Sequence, residues 1–292
     1  MTFIENGALR VGVSAGYGAR VVSLFDKASG REWMTGGGES PNTGEDVRYW
    51  GDEAVGWDEC FPTVSVWDAG GTPWRRKLRD HGDLWGRPWA IDAASETSVT
   101  TTYADPQFRF TRTLRLEGGT LVAEYAAENL TAEVLPYLWA LHALLAVDPK
   151  DRMEISGLGS VRAVFLAIEG KMVKVGNMSW TEPTDALPFA LADAQPPSAN
   201  FMGKLYAENI PGGSARIGHP GARLEIAWDE SIAHLGIWIT YGAWPAKGGH
   251  YEVALEPTNA PSDHVGQTID GGYPPLAPRE RRTWTVRLTV TA

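Results

Sequence analysis

The chain has 292 residues, 43% of them hydrophobic, which suits one large β-sandwich or barrel domain over residues 1–292 with a core of its own. Its 26 Lys+Arg against 36 Asp+Glu give a formal net charge of −10, which argues against nucleic acid or an anionic membrane as partner, because phosphate backbones are held by clustered positive charge. No apolar run approaches the roughly 20 residues of a membrane span, and the single cysteine, Cys60, excludes an intrachain disulfide and fits a reducing compartment.

The opening Met-Thr-Phe-Ile-Glu-Asn-Gly carries neither the basic stretch nor the apolar block of a secretory signal, so a cytoplasmic location is expected. Gly16-Tyr17-Gly18 precedes a strand rather than a helix and lacks a third spaced glycine; it reads as a turn, not a dinucleotide loop. Strands are predicted over Ala19–Phe25 and Phe61–Trp67, then a solvated basic loop at Arg75-Arg76-Lys77 and Arg79. After a strand at Thr97–Tyr103, Gln107–Leu116 and Thr120–Tyr125 flank Gly118-Gly119 and form a hairpin, since glycine supplies the positive φ of a tight turn. Further strands are predicted over Val134–Val147, Val161–Ile168, Arg223–Ala227, Leu235–Tyr241 and Tyr251–Glu256, with Glu182–Asn200 a long loop inside the domain. In the last segment Trp284, Val286, Leu288 and Val290 alternate with Thr283, Thr285, Arg287 and Thr289, the pattern of a half-buried strand. Many strands punctuated by glycine and proline imply an all-β chain of two packed antiparallel sheets.

Motifs exclude several chemistries. There is no P-loop, G-x-S-x-G, CxxC, H-x-H or HExxH, so no cofactor or metal is expected from spacing. The composition does stand out in its 13 tryptophans, most of which a wide core would absorb. The remainder suit a sugar, whose C–H faces stack on aromatic rings while its hydroxyls meet charged walls. Glu256, followed by Pro257, is a carboxylate fixed at a strand end, and on these residues alone it reads equally as an acid facing solvent. His142 sits in the apolar run Leu138–Val147, where a histidine is more often a hydrogen-bonded core residue than a catalyst. His81 lies between Asp80 and Asp83 in a loop, and His250 precedes the Glu256 strand.

In order along the chain, Gly16–Lys27, Gly56-Trp57-Asp58-Glu59-Cys60-Phe61-Pro62, His81-Gly82, Trp139-Ala140-Leu141-His142, Leu255-Glu256-Pro257-Thr258 and Leu276-Ala277-Pro278 together resemble the aldose 1-epimerase (galactose mutarotase-like) family. The resemblance implies a large antiparallel β-sandwich that interconverts the anomers of an aldose or sugar derivative without cofactor or metal. Glu256 would be the base, His142 the acid and His81 a hydrogen-bonding partner of a small-molecule sugar. Asp58, Glu59 and Trp57 beside the Phe-Pro segment, with Trp180 and Trp238, would line the pocket. Where many members carry a substrate-binding arginine this chain reads Thr63-Val64-Ser65-Val66, and Arg87 is the candidate replacement. Two alternatives stand beside this reading: a sugar-binding protein on the same fold without catalysis, and a metal-dependent β-sandwich enzyme ligating an ion through His81, His142 and His250 with Glu256.

Overall fold

Alternation of inward and outward residues fixes the strands. In the computed structural model, which describes residues 1–36, 49–246 and 249–291, the strand Phe108–Glu117 buries Phe108, Phe110, Arg112, Leu114 and Leu116 and turns Arg109 and Glu117 to solvent. It pairs antiparallel with Thr120–Asn129 from Phe108↔Asn129 to Glu117↔Thr120, and Gly118 takes the positive φ of 58° that closes the hairpin.

Among the described residues two antiparallel sheets carry the fold, one of twelve strands and one of eight. The hairpin belongs to the smaller sheet, where Thr120–Asn129 also pairs with Arg281–Thr291. Between the sheets lies a continuous apolar cluster running from Ile4 to Leu288. Its aromatic centre joins Tyr125, Trp139, Trp284 and Phe110, with ring centroids 5.0 Å apart for Tyr125–Trp139 and 4.8 Å for Trp139–Trp284. Each such ring buries on the order of 150–250 Å², so these side chains dominate the energetics of the core.

Five adjacent strands of the larger sheet concern the site: Trp57–Cys60, Ala140–Ala146, Tyr251–Thr258, His234–Tyr241 and Phe201–Ala207, in that spatial order. Phe201–Ala207 was not predicted, and three others differ from the sequence reading by more than one residue. Residues 62–66 of the predicted strand Phe61–Trp67 are loop, Trp67 opening only the two-residue strand Trp67–Asp68, and the ladder lies four residues earlier, at Trp57–Cys60; Pro62 has no backbone donor to continue it. Of Val134–Val147 only Ala140–Ala146 pairs as a strand, because Pro136 interrupts the approach. The strand predicted to end at Glu256 runs on to Thr258, with Pro257 opposite Leu235. Among the described residues no helix is long and apolar enough to cross a membrane.

Candidate active site

Register brings the candidate residues into one row. His142 stands directly opposite Asp58 on its neighbouring strand. On the other side, the pairs Ala140↔Thr258 and Leu144↔Ala254 bracket His142 and set it opposite Glu256. The row continues through Gly236 to Tyr206, and Lys204 and Trp238 oppose each other two residues along their strands. Successive strand residues point to opposite faces, so Asp58 and Cys60 share the face of this row while Trp57 and Glu59 point to the other.

These side chains open onto a cavity of about 280 Å³. Its titratable lining includes Glu256, His142, His81, Lys204, Asp263 and Asp80, and its aromatic lining Tyr49, Trp50, Trp238 and Trp244. Behind His142, Asp58 accepts a 2.7 Å hydrogen bond at Nδ1, and its other oxygen accepts one from Arg20 at 2.6 Å. Burial works against the charged imidazole, but the charge and hydrogen bond of Asp58 more than offset it and raise the pKa of His142 above the ordinary 6.5. For Asp58, burial opposes ionisation and is outweighed by the charges of Arg20 and His142, so its carboxyl stays below the usual carboxylate range.

Glu256 is 2% exposed, which rules out the solvent-facing acid. Its Oε2 accepts from Lys204 Nζ at 2.5 Å, whereas Oε1 is buried and accepts nothing from the described residues. Lys204 also lies 3.5 Å from Asp263. Burial would lower the lysine's pKa, but the two carboxylates raise it instead. Space for the ion pair comes from Gly236, where a Cβ would stand 2.7 Å from Glu256 Oε2 and 3.4 Å from Lys204 Nζ.

His81 reaches the cavity from a loop. Its backbone N–H donates to Val64 O at 2.5 Å, and that of Asp83 to Phe61 O at 2.7 Å. Between them Gly82 adopts φ 74°, and a Cβ there would lie 2.1 Å from the Phe61 carbonyl oxygen, so only glycine lets this loop close on the Phe-Pro segment. Arg79 braces the loop from behind, donating to Gly82 O and Trp85 O. The His81 ring stacks on Tyr49 at 3.6 Å, and its Nδ1 lies 3.2 Å from Asp80.

The structure therefore brings Glu256, His142, His81 and Trp238 to one cavity, with Asp58 behind His142. Other expected residues fall elsewhere. Glu59 is fully buried in the core, where it accepts from Trp57, Arg112, Tyr125 and Trp139, so neither it nor Trp57 faces a ligand. Arg87 donates to Tyr103 at 2.7 Å and does not replace the missing arginine in the cavity. Trp180 is buried against Met153, to whose carbonyl it donates at 3.2 Å. His250 stands over Glu252 at 3.1 Å rather than with Glu256. Sequence reasoning missed Lys204, Asp263, Tyr49 and Trp50. Lys204 lay in a strand that was not predicted, Phe201–Ala207, whose Phe-Met-Gly-Lys-Leu-Tyr-Ala mixes sizes and polarities too evenly to alternate. Among the described residues it is the only lysine or arginine lining the cavity.

No family model matches the chain, and no curated protein matches it in sequence. Solved structures do. A candidate aldose 1-epimerase from Escherichia coli K12 aligns with a TM-score of 0.72 at 17% identity, over 99% of this chain and 98% of that one. A galactose mutarotase-like protein from Lactobacillus casei ATCC 334 aligns with a TM-score of 0.68 at 16% identity over 100% of both chains. Another, from Clostridium acetobutylicum, gives 0.67 at 15% identity over 99% of this chain and 94% of that one. The fold of this chain is thus the β-sandwich of the aldose 1-epimerase-like and galactose mutarotase-like structures.

Proposed function

We propose that the protein interconverts the two anomers of an aldose or aldose derivative by acid–base ring opening in this cavity. The observation that carries the reading is the placement of Glu256 and His142 opposite each other on adjacent strands, lining one cavity, with Asp58 hydrogen-bonded behind His142. Glu256 Oε1 takes the proton of the C1 hydroxyl, the C1–O5 bond breaks as C1 becomes a carbonyl, and His142 gives its proton to O5. Rotation about C1–C2 followed by the reverse transfers closes the ring as the other anomer and restores both groups. The tryptophan faces offer stacking surfaces for the sugar's C–H faces, and His81 and Lys204 supply donors for its hydroxyls.

Polarimetry or saturation-transfer NMR across a panel of aldoses tests this. Glu256→Gln should slow catalysed exchange by at least about 10²-fold, the lower range for a positioned acid–base group, with circular dichroism unchanged. Because Asp58 raises the pKa of His142 above 6.5, the wild-type rate should persist past that pH, and Asp58→Asn should move the alkaline limb of the profile downward. A Glu256→Gln rate equal to wild type sinks the assignment of the base.

The 2.5 Å Lys204–Glu256 pair favours a second reading, a sugar-binding protein without catalysis, since the ammonium already occupies one oxygen of the carboxylate that would have to act as base. Calorimetric binding of a sugar with no acceleration of anomer exchange would decide for it.

A further inference from the structure

Cys60 follows Asp58 by two residues on the strand Trp57–Cys60, points to the same face, and is fully buried. Among the described residues its sulfur and one ring nitrogen each of His81 and His142 lie within 4.8 Å of one another. The three donors arrive from separate places: a strand, the His81-Gly82 loop and the Ala140–Ala146 strand. Each histidine also has an outer carboxylate, Asp58 on Nδ1 of His142 at 2.7 Å and Asp80 on Nδ1 of His81 at 3.2 Å. In metal sites such carboxylates fix the tautomer and leave Nε2 to ligate. Tyr49, stacked on His81, holds the ring plane. One thiolate and two imidazoles are the donors of tetrahedral zinc, and three protein ligands leave a fourth position open.

We propose that Cys60, His81 and His142 form a site for a divalent cation of the zinc class, whose occupation excludes sugar chemistry in the same cavity. On binding, the Cys60 S–H bond breaks, its proton passes to solvent, and a sulfur–metal bond forms with no change of oxidation state. Bonds of about 2.3 Å to sulfur and about 2.0–2.1 Å to nitrogen require the donors to draw in by roughly 1 Å. The exclusion of sugar chemistry rests on the anomer-exchange reading, because a ligated His142 has no proton to give O5; the metal site itself does not.

Cobalt(II), titrated into protein stripped with chelator, tests the site independently of any sugar. One equivalent should develop the near-ultraviolet charge-transfer absorption of a thiolate–cobalt bond. Cys60→Ser should lose that band, and Asp80→Asn should weaken binding about 10-fold, the lower range for an outer-shell carboxylate. Cys60→Ala gives the same readout where the serine variant does not fold. A wild-type protein without the band, or a band unchanged in Cys60→Ser, overturns the site. In the second arm, zinc should inhibit wild-type anomer exchange near one equivalent, and Cys60→Ser should need at least tenfold more, each relative to its own metal-free rate. Exchange untouched by bound zinc overturns the exclusion. No exchange in the metal-free wild type strikes the anomer-exchange reading instead, and the cobalt arm still decides the site.

Discussion

Lys204 holds two acids, Glu256 at 2.5 Å and Asp263 at 3.5 Å, with 11% of its side chain exposed. Removing one member of a buried ion pair leaves an uncompensated charge, at a cost of about 3–5 kcal/mol, and Lys204→Met should lose that much in urea unfolding at pH 7. The loss should shrink on acidification. Burial would raise the pKa of Asp263, but Lys204 and the Tyr206 hydroxyl depress it below the ordinary 3.8. The stability from that depression is present above pH 3.8 and disappears as pH falls through the folded-state value, so wild type and variant converge in acid. Equal differences at pH 7 and pH 3 would remove Lys204 as the counter-ion. At this scale Glu256, His142 and His81 were legible because each stood in a short run with its own punctuation: a following proline, an apolar stretch, a following glycine. Lys204 and Asp263 carried no such mark; their significance comes from neighbours distant in sequence.

The strand Trp57–Cys60 carries two roles on two faces: Asp58 behind His142 of the cavity, Glu59 in the core. Sequence reading placed this strand four residues late because Val64 and Val66 suggest β structure, whereas the backbone after Pro62 is turned aside to meet the His81 loop. It also assigned both acids to the ligand, since a pair of adjacent carboxylates does not reveal which faces inward until the partner strand is known. The contact between the two segments should be intolerant at Gly82. Gly82→Ala adds left-handed strain of about 1–2 kcal/mol and a Cβ 2.1 Å from the Phe61 oxygen. Gly170, at φ 73°, has nothing within 4 Å of an added Cβ, so Gly170→Ala should cost the strain alone. Thermal unfolding should therefore place Gly82→Ala well below Gly170→Ala, and equal melting temperatures would refute the close approach.

Across the whole molecule, the two sheets are joined by a polar tie as well as by apolar packing. Arg112 on the smaller sheet donates to Glu59 on the larger at 2.9 Å, both side chains fully buried, and also to the Ala19 carbonyl. Arg112→Met should cost about 3–5 kcal/mol by stranding the carboxylate, and adding Glu59→Gln should recover part of it, because the charge is gone and the amide oxygen can still accept from Trp57 and Tyr125. Urea unfolding of the single and double variants measures the coupling, and strict additivity would refute the tie. The two-sheet architecture was legible from alternation and turns; the inward position of Arg112 was not, since an arginine in an alternating strand reads as an outward residue until its buried partner is seen. The row across the larger sheet has a kinetic meaning as well. Asp58 and His142 are separated by 84 residues, and Glu256 comes from a third, later stretch of chain. Contacts of such long range form slowly, after local hairpins such as Phe108–Asn129, because loop closure must be offset first. Nothing resembling the cavity exists in the early, locally folded chain. Competence to hold a ligand is a late event of folding, and a ligand that binds here acts only on molecules whose large sheet has already closed.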